Sequence, residues 1–122
     1  MKRIACIVAL SISAAVSAQN FPTRPLRIVT AEPGGGNDLA ARIVSPGLSA
    51  ALGQPVVVEN RGGAGGAIAA EYVAKAPPDG YTLLAVQASL TINPSLMKQV
   101  PYDPVKDFEP IAKMSSYMFF LV

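Results

Sequence analysis

Short apolar runs alternate with amphipathic segments between residues 21 and 86. The runs at residues 26–30, 56–58 and 81–86 predict three strands, and residues 38–52 and 67–75 predict the helices between them. The middle run lacks polar alternation, as expected when helices cover both faces of a parallel sheet. This order predicts an α/β fold with a parallel sheet and right-handed crossovers.

The first predicted helix, residues 38–52, has an apolar face and an internal proline. Its large apolar residues are expected to lie near one face, and they are Leu39, Ile43, Leu48 and Leu52. Pro46 is expected to kink or split the helix, because proline removes one backbone hydrogen bond and clashes with the preceding turn. Gly53 is suited to the position just after the helix.

The last third of the chain gives weaker signals. Residues 87–93 predict a polar loop, a short helical piece follows near residues 94–98, and residues 111–114 predict a fourth strand. The apolar run at residues 117–122 has no polar residue after it, which is typical of a buried strand that continues. The chain is therefore expected to be a fragment.

The amino terminus predicts export. Lys2 and Arg3 precede an apolar segment, residues 4–16, and Ser17 and Ala18 form a small-residue cleavage site. This order is that of a cleavable secretory signal peptide spanning residues 1–18, with cleavage near Ala18. The apolar segment is too short to span a bilayer. An uncleaved first helix of a cytosolic domain is the alternative interpretation.

Composition excludes several function classes. The chain has 10 basic and 8 acidic residues, and loss of Lys2 and Arg3 with the signal peptide leaves 8 of each. A neutral chain lacks the charge typical of proteins that bind nucleic acid or anionic membranes. The chain has no histidine, and its single cysteine, Cys6, lies in the apolar segment. We therefore predict no catalytic residues, metal site or cofactor.

Two glycine-rich motifs carry the main chemical signal. The first glycine loop is Pro33-Gly34-Gly35-Gly36-Asn37-Asp38, and the second is Asn60-Arg61-Gly62-Gly63-Ala64-Gly65-Gly66. Each follows a predicted strand and opens a helix, where unpaired backbone N–H groups can hold an anion. Neither loop has the spacing of a P-loop or a dinucleotide fingerprint. The alternative is that the glycines serve only tight turns.

Two charged residues of these loops have two interpretations each. Asp38 can satisfy free N–H groups in the first turn of the helix, or it can take part in ligand binding. Arg61 is the only cation within either loop and can contact an anion, but it can equally form a structural ion pair.

The ordered set of motifs resembles one protein family closely, from about Phe21 to the last residue. Beyond the two glycine loops, the set contains Leu52-Gly-Gln-Pro-Val-Val-Val-Glu-Asn-Arg61, Lys75-Ala-Pro-Pro-Asp-Gly-Tyr-Thr-Leu-Leu84, Ile92-Asn-Pro94 and Pro101-Tyr-Asp-Pro-Val-Lys-Asp-Phe108. The whole set resembles the Bug-type extracytoplasmic solute receptors of tripartite tricarboxylate transporters.

This resemblance implies a fold and a function. It implies the first lobe of a two-lobed periplasmic-binding-protein fold of the Venus flytrap, type II-like kind, with a parallel-rich sheet flanked by helices. Residues 19–115 would form this lobe, and residues 116–122 would start the crossover strand toward an absent second lobe. The protein would be periplasmic, monomeric when full length and not an enzyme. Its partners would be a small carboxylate and the membrane subunits of the transporter, with no nucleic acid.

The resemblance also implies the ligand-binding residues. They are Gly34, Gly35, Gly36, Asn37 and Asp38 in the first loop, Gly62, Gly63, Ala64, Gly65 and Gly66 in the second, and Gln87 and Ser89 after the third strand. Glu32 stands where a small or apolar residue is expected, and its carboxylate should repel a ligand carboxylate unless it points away. Two alternative functions are a truncated gene product without activity and a secreted enzyme that uses Asp38, Glu32 or Lys75.

Overall fold

The computed structural model describes residues 21–116. They form three strands and three helices, in the order β1 (Leu26–Thr30), α1 (Gly36–Leu52), β2 (Val56–Asn60), α2 (Ala67–Ala74), β3 (Thr82–Leu84) and α3 (Ser89–Leu96). A 3-10 turn at Ala64–Gly66 leads into α2. The predicted signal peptide and the apolar run at residues 117–122 lie outside the described residues.

The three strands form one parallel sheet in the order β2-β1-β3. Ile28 in the central strand pairs with Val58 on one side and with Leu83 on the other. The chain first moves from β1 to β2 and then crosses back to β3 on the opposite side of β1. The direction of winding therefore reverses at β1, and ligands of open α/β sheets bind outside the carboxyl ends of the strands at such a point.

Apolar residues pack on both faces of the sheet. On the α1 face, Ile28 packs with Ala41 and Ala85, and Leu48 lies against them. On the other face, one cluster joins α2, α3 and the segment that follows them, and it consists of Ala67, Ala70 and Tyr102 with Ala74, Leu84, Leu90, Met97, Val100 and Phe108 around them. The sheet is covered on two sides, as its parallel pairing requires.

The apolar face predicted for α1 is partly wrong. Leu39 and Ile43 have exposed fractions of 60% and 71%, whereas Asp38 and Ala41 are buried. Of the predicted apolar positions, Leu48 packs against the α1-face cluster. The helix is therefore rotated relative to the expected orientation. The Asp38 carboxylate can occupy a buried position because Gly34, Arg42 and Asn60 donate hydrogen bonds to it.

Two prolines lie inside helices, and α1 continues through Pro46 as one helix, so the split predicted there as one of two outcomes does not occur. Proline leaves the carbonyl four residues earlier without its N–H partner. The carbonyl of Arg42 instead accepts a hydrogen bond from Ser45 Oγ at 3.3 Å. In α3, Pro94 leaves the Leu90 carbonyl free, and Tyr102 Oη donates to it at 3.1 Å. Side-chain hydroxyls thus replace both lost backbone donors.

The last third of the described chain differs from the sequence prediction. Helix α3 begins at Ser89, inside the segment predicted as a polar loop, and residues 111–114 form no strand. From the sequence, the polar residues of this segment indicate a solvent-exposed loop. Asn93 is instead buried, and its side chain donates a hydrogen bond to the Gly65 carbonyl. Within residues 21–116, no helix has the length and apolar character needed to cross a membrane.

Candidate functional site

Both glycine loops leave the carboxyl edge of the sheet and meet near the end of β1. The backbone N–H of Arg61 donates to the Thr30 carbonyl at 2.8 Å, which places the start of the second loop beside the start of the first. A Cβ on Gly66 would lie 3.6 Å from both Ala31 Cβ and Ser89 Oγ. The structure therefore brings the second loop, the end of β1 and the start of α3 together.

The first loop presents the amino terminus of α1. Gly35 caps the helix with an extended backbone and no side-chain hydrogen bond. Among residues 21–116, the backbone N–H groups of Gly36, Asn37 and Asp38 have no acceptor, whereas the N–H of Leu39 bonds to the Gly35 carbonyl. Three donors therefore stand at the positive end of a 17-residue helix, as an anion site requires.

The side chain of Asp38 is fully engaged within the lobe. It accepts hydrogen bonds from Gly34 N at 2.9 Å, from Asn60 Nδ2 at 2.9 Å and from Arg42 Nε at 3.0 Å. Arg42 Nη2 also donates to Asn60 Oδ1 at 3.0 Å, which closes the network. The hydrogen bonds from Arg42, Gly34 and Asn60 lower the pKa of Asp38 to about 2, so the carboxyl is ionised near neutral pH.

The hydrogen bonds of the Asp38 side chain favour a structural role for that side chain. Its oxygens bond to donors from the first loop, α1 and β2, so the side chain fixes the loop, while its backbone N–H remains among the three free donors. Sequence reasoning missed Arg42 and Asn60. The Asp38–Arg42 spacing of four residues on a helix was the signal that could have revealed the first of them.

The second loop is shaped by left-handed backbone conformations at four successive residues. The φ angles of Gly63, Ala64, Gly65 and Gly66 are 114°, 49°, 60° and 89°. The turn closes with a hydrogen bond from the Gly66 N–H to the Gly63 carbonyl at 3.1 Å. In the described part of the chain, the N–H groups of Ala64 and Gly65 have no acceptor. The second loop therefore also presents adjacent backbone donors.

Two residues outside the second loop hold it. Asn93, which is 6% exposed, donates from Nδ2 to the Gly65 carbonyl at 3.1 Å. Glu32 Oε1 accepts a hydrogen bond from the Gly63 N–H at 2.8 Å. The sequence signalled Glu32 as an anomaly, but it contained no signal for the structural role of Asn93.

Arg61 is engaged away from the free donors. Its Nε donates to Glu59 Oε1 at 2.9 Å, and its guanidinium carbon lies 3.5 Å from the centre of the Tyr72 ring. These contacts match the structural alternative for this residue.

Gln87 is exposed and lines a groove together with Asn37 and Leu90. Within residues 21–116, no three potential ligand side chains cluster in a way that could hold a metal ion.

The structure therefore combines a three-stranded parallel sheet with two loops that present free backbone N–H groups at its carboxyl edge. Residues 40–122 match the family described as "Tripartite tricarboxylate transporter family receptor". Protein BugT of Bordetella pertussis is 43% identical over 119 residues, which cover 95% of this chain and 36% of that protein. The chain belongs to this receptor family, whose members are solute-binding proteins and not enzymes.

Solved structures support the same assignment. The periplasmic binding protein BugD is 44% identical, with a TM-score of 0.71 over 75% of this chain and 31% of that one. Rhodopseudomonas palustris Rpa4515 with adipate is 40% identical, with a TM-score of 0.66 over 69% and 29%. MatC from the same organism, with bound malate, is 38% identical, with a TM-score of 0.67 over 77% and 33%. These matches confirm the α/β fold of a periplasmic binding protein.

The chain spans about a third of the length of the curated relatives that it matches. The solved structures give the same proportion, since about 30% of each is covered. The described sheet and its two glycine loops therefore correspond to one part of each of these longer relatives.

Proposed function

We propose that this chain forms the first lobe of a periplasmic receptor that captures a small organic acid for a tripartite tricarboxylate-type transporter. Family membership and two structural neighbours solved with adipate and malate support this function. Residues 1–18 direct export and are cleaved near Ala18. The receptor delivers its ligand to the membrane subunits of the transporter, acts as a monomer when full length and encloses the ligand with a second lobe.

The observation that carries the proposal is the set of unpaired backbone donors at the carboxyl edge of the sheet. The N–H groups of Gly36, Asn37 and Asp38 lie in one loop, and those of Ala64 and Gly65 lie in the other. A ligand carboxylate accepts from these groups, and hydrogen bonds to an ionised acceptor are about twice as strong as neutral ones. The binding residues that we propose are Gly34, Gly35, Gly36, Asn37, Asp38, Gly62, Gly63, Ala64, Gly65, Gly66, Gln87 and Ser89.

The second loop offers a direct test through Gly65→Val. Gly65 has a φ of 60°, a conformation that a β-branched residue strongly disfavours, so valine forces the loop to rearrange. Gly53→Val is the matched control, because Gly53 has a φ of 66° and open space around it at the opposite end of α1. Both variants therefore place a similar strain on the backbone at the substituted residue.

Titration calorimetry on the purified full-length gene product measures the outcome, with malate, adipate and 4-aminobutyrate as probes. We expect Gly65→Val to weaken binding of the tightest probe roughly thirtyfold or more, as the loss of charge-assisted backbone bonds implies. Gly53→Val should keep the wild-type affinity while losing similar thermal stability. Equal affinities in the two variants would show that the second loop is only a turn.

A further inference from the structure

The Glu32 carboxylate lies against the second loop, although Glu32 directly precedes the first loop in sequence. Its Oε1 accepts the hydrogen bond from the Gly63 N–H at 2.8 Å. A Cβ on Gly62 would lie 2.6 Å from Oε2 of Glu32, which is closer than real Cβ atoms approach. The carboxylate fits beside the second loop because residue 62 has no side chain.

The charge of Glu32 is not neutralised by the cations around it. Within the described range, no lysine or arginine nitrogen lies within 4.0 Å of its carboxylate. Arg42 is paired with Asp38, and Arg61 is paired with Glu59. Glu32 is exposed, so an accessible negative charge lies beside the second loop, where it accepts the hydrogen bond from the Gly63 N–H.

We infer that Glu32 determines the specificity of the carboxylate site, an inference that rests on the proposed function. The Glu32 charge lies against the second loop and disfavours a like charge beside it, so a ligand carboxylate binds best at the three free donors of α1. A second carboxylate on the ligand meets a like charge, whereas an ammonium or hydroxyl group donates a hydrogen bond to Glu32. The preferred ligand therefore carries one carboxylate and one donor group, with ammonium ahead of hydroxyl.

Four-carbon acids of equal length test this specificity on the full-length gene product. The probes are succinate, 4-aminobutyrate, 4-hydroxybutyrate and butyrate, which differ only in the group at the far end. We expect the wild type to bind 4-aminobutyrate about tenfold tighter than succinate, and Glu32→Gln to remove most of that ratio. Asp79→Asn is the charge-matched control, because Asp79 is exposed, precedes β3 and lies outside both loops. It should keep the wild-type ratio.

A second variant moves the carboxylate without removing its charge. In Gly62→Ala, the new methyl group occupies the place of the Glu32 carboxylate, and the flexible glutamate side chain swings away. The backbone at Gly62 lies outside the left-handed region, so alanine adds no backbone strain. The amide resonance of Gly63 should shift in both Glu32→Gln and Gly62→Ala, and the preference for 4-aminobutyrate should fall in both.

The outcomes separate this inference from the function on which it rests. Carboxylate binding with a ratio that Glu32→Gln leaves unchanged would overturn the inference and leave the receptor function intact. An unchanged Gly63 resonance in Glu32→Gln would also overturn it, because the contact would then be absent. Malate, adipate and citrate are tested beside these four acids. If neither the wild type nor any variant binds any of the seven compounds, both proposals are rejected.

Discussion

The two glycine loops have similar sequences but are held in place by different means. In the first loop only Gly34 has a positive φ, and the loop is fixed by the buried Asp38 side chain of the helix that it opens. In the second loop four successive residues have positive φ, and the contacts that hold it come from Glu32 and Asn93 on other elements. Glycine content therefore identifies both loops without revealing how either is built.

This difference has a consequence for the donors that each loop presents. The free N–H groups of the first loop belong to a helix terminus, whose direction is set by the whole of α1. Those of the second loop depend on a local backbone with positive φ angles, strained only at Ala64, that neighbouring side chains hold in place. Side-chain substitutions should therefore disturb the first loop through Asp38 and the second loop through Asn93.

The largest expected effect is that of Asp38→Ala, which removes the centre of the first-loop network. The substitution leaves Arg42 and Asn60 without their shared acceptor and frees the Gly34 N–H. We expect a greater loss of unfolding free energy than for any other substitution considered, measured by urea denaturation. Asp79→Asn is the control, since it keeps an acceptor for the Tyr81 N–H and removes only the charge of the exposed pair with Arg24, which contributes about 0–1 kcal/mol.

The free energy of unfolding should depend on pH through the Asp38 carboxylate, because the same network lowers its pKa. The pKa of Asp38 is lowered from its ordinary value of 3.8 to about 2 in the folded protein. A lowered pKa means that the stabilisation is complete above the ordinary value and is lost as the pH falls toward 2. Asp38→Asn should therefore show a flatter stability profile than the wild type between these two values. Parallel profiles would show that the carboxylate is not held by the network.

Asn93→Ala is expected to have an intermediate effect, on the second loop. It removes the buried hydrogen bond to the Gly65 carbonyl and should cost about 1–2 kcal/mol in unfolding free energy. Asn93→Asp keeps the shape but cannot donate from an ionised carboxylate, so it should cost more. Amide hydrogen exchange should be faster at Gly66 in both variants and unchanged in α1. Faster exchange across the whole chain would contradict a local role for Asn93.

The sequence was sufficient to predict the fold but not the connections within the site. The bounds of β1 were predicted correctly, because a continuous apolar run is a strong signal for a buried parallel strand. A helical piece was predicted for α3, but its start was placed too late because Asn93 is polar yet buried, and its partner Gly65 lies 28 residues away. The pairing of Glu32 with Gly63, 31 residues apart, was equally invisible. Such contacts depend on tertiary structure, which periodicity along the chain does not describe.

The smallest expected effect concerns Arg61, the one cation of the two loops. Its guanidinium stacks on Tyr72, and such a contact at an exposed site contributes about 0.5–1 kcal/mol. Tyr72→Leu should therefore lower the unfolding free energy by that amount. Tyr72→Phe, which keeps the ring and loses only the hydroxyl bond to Arg27, should cost less.

Arg61 also tests whether the second loop binds anions through its backbone alone. Because the guanidinium is held by Glu59 and Tyr72, Arg61→Gln should change the Kd for the tightest carboxylate probe by less than about twofold. Gly65→Val in the same loop should change it far more, since it displaces the backbone donors themselves. A large loss of affinity in Arg61→Gln would mean that the guanidinium leaves Tyr72 to contact the ligand. The second loop would then bind by a charged side chain, and its contrast with the first loop would lie in charge as well as in backbone shape.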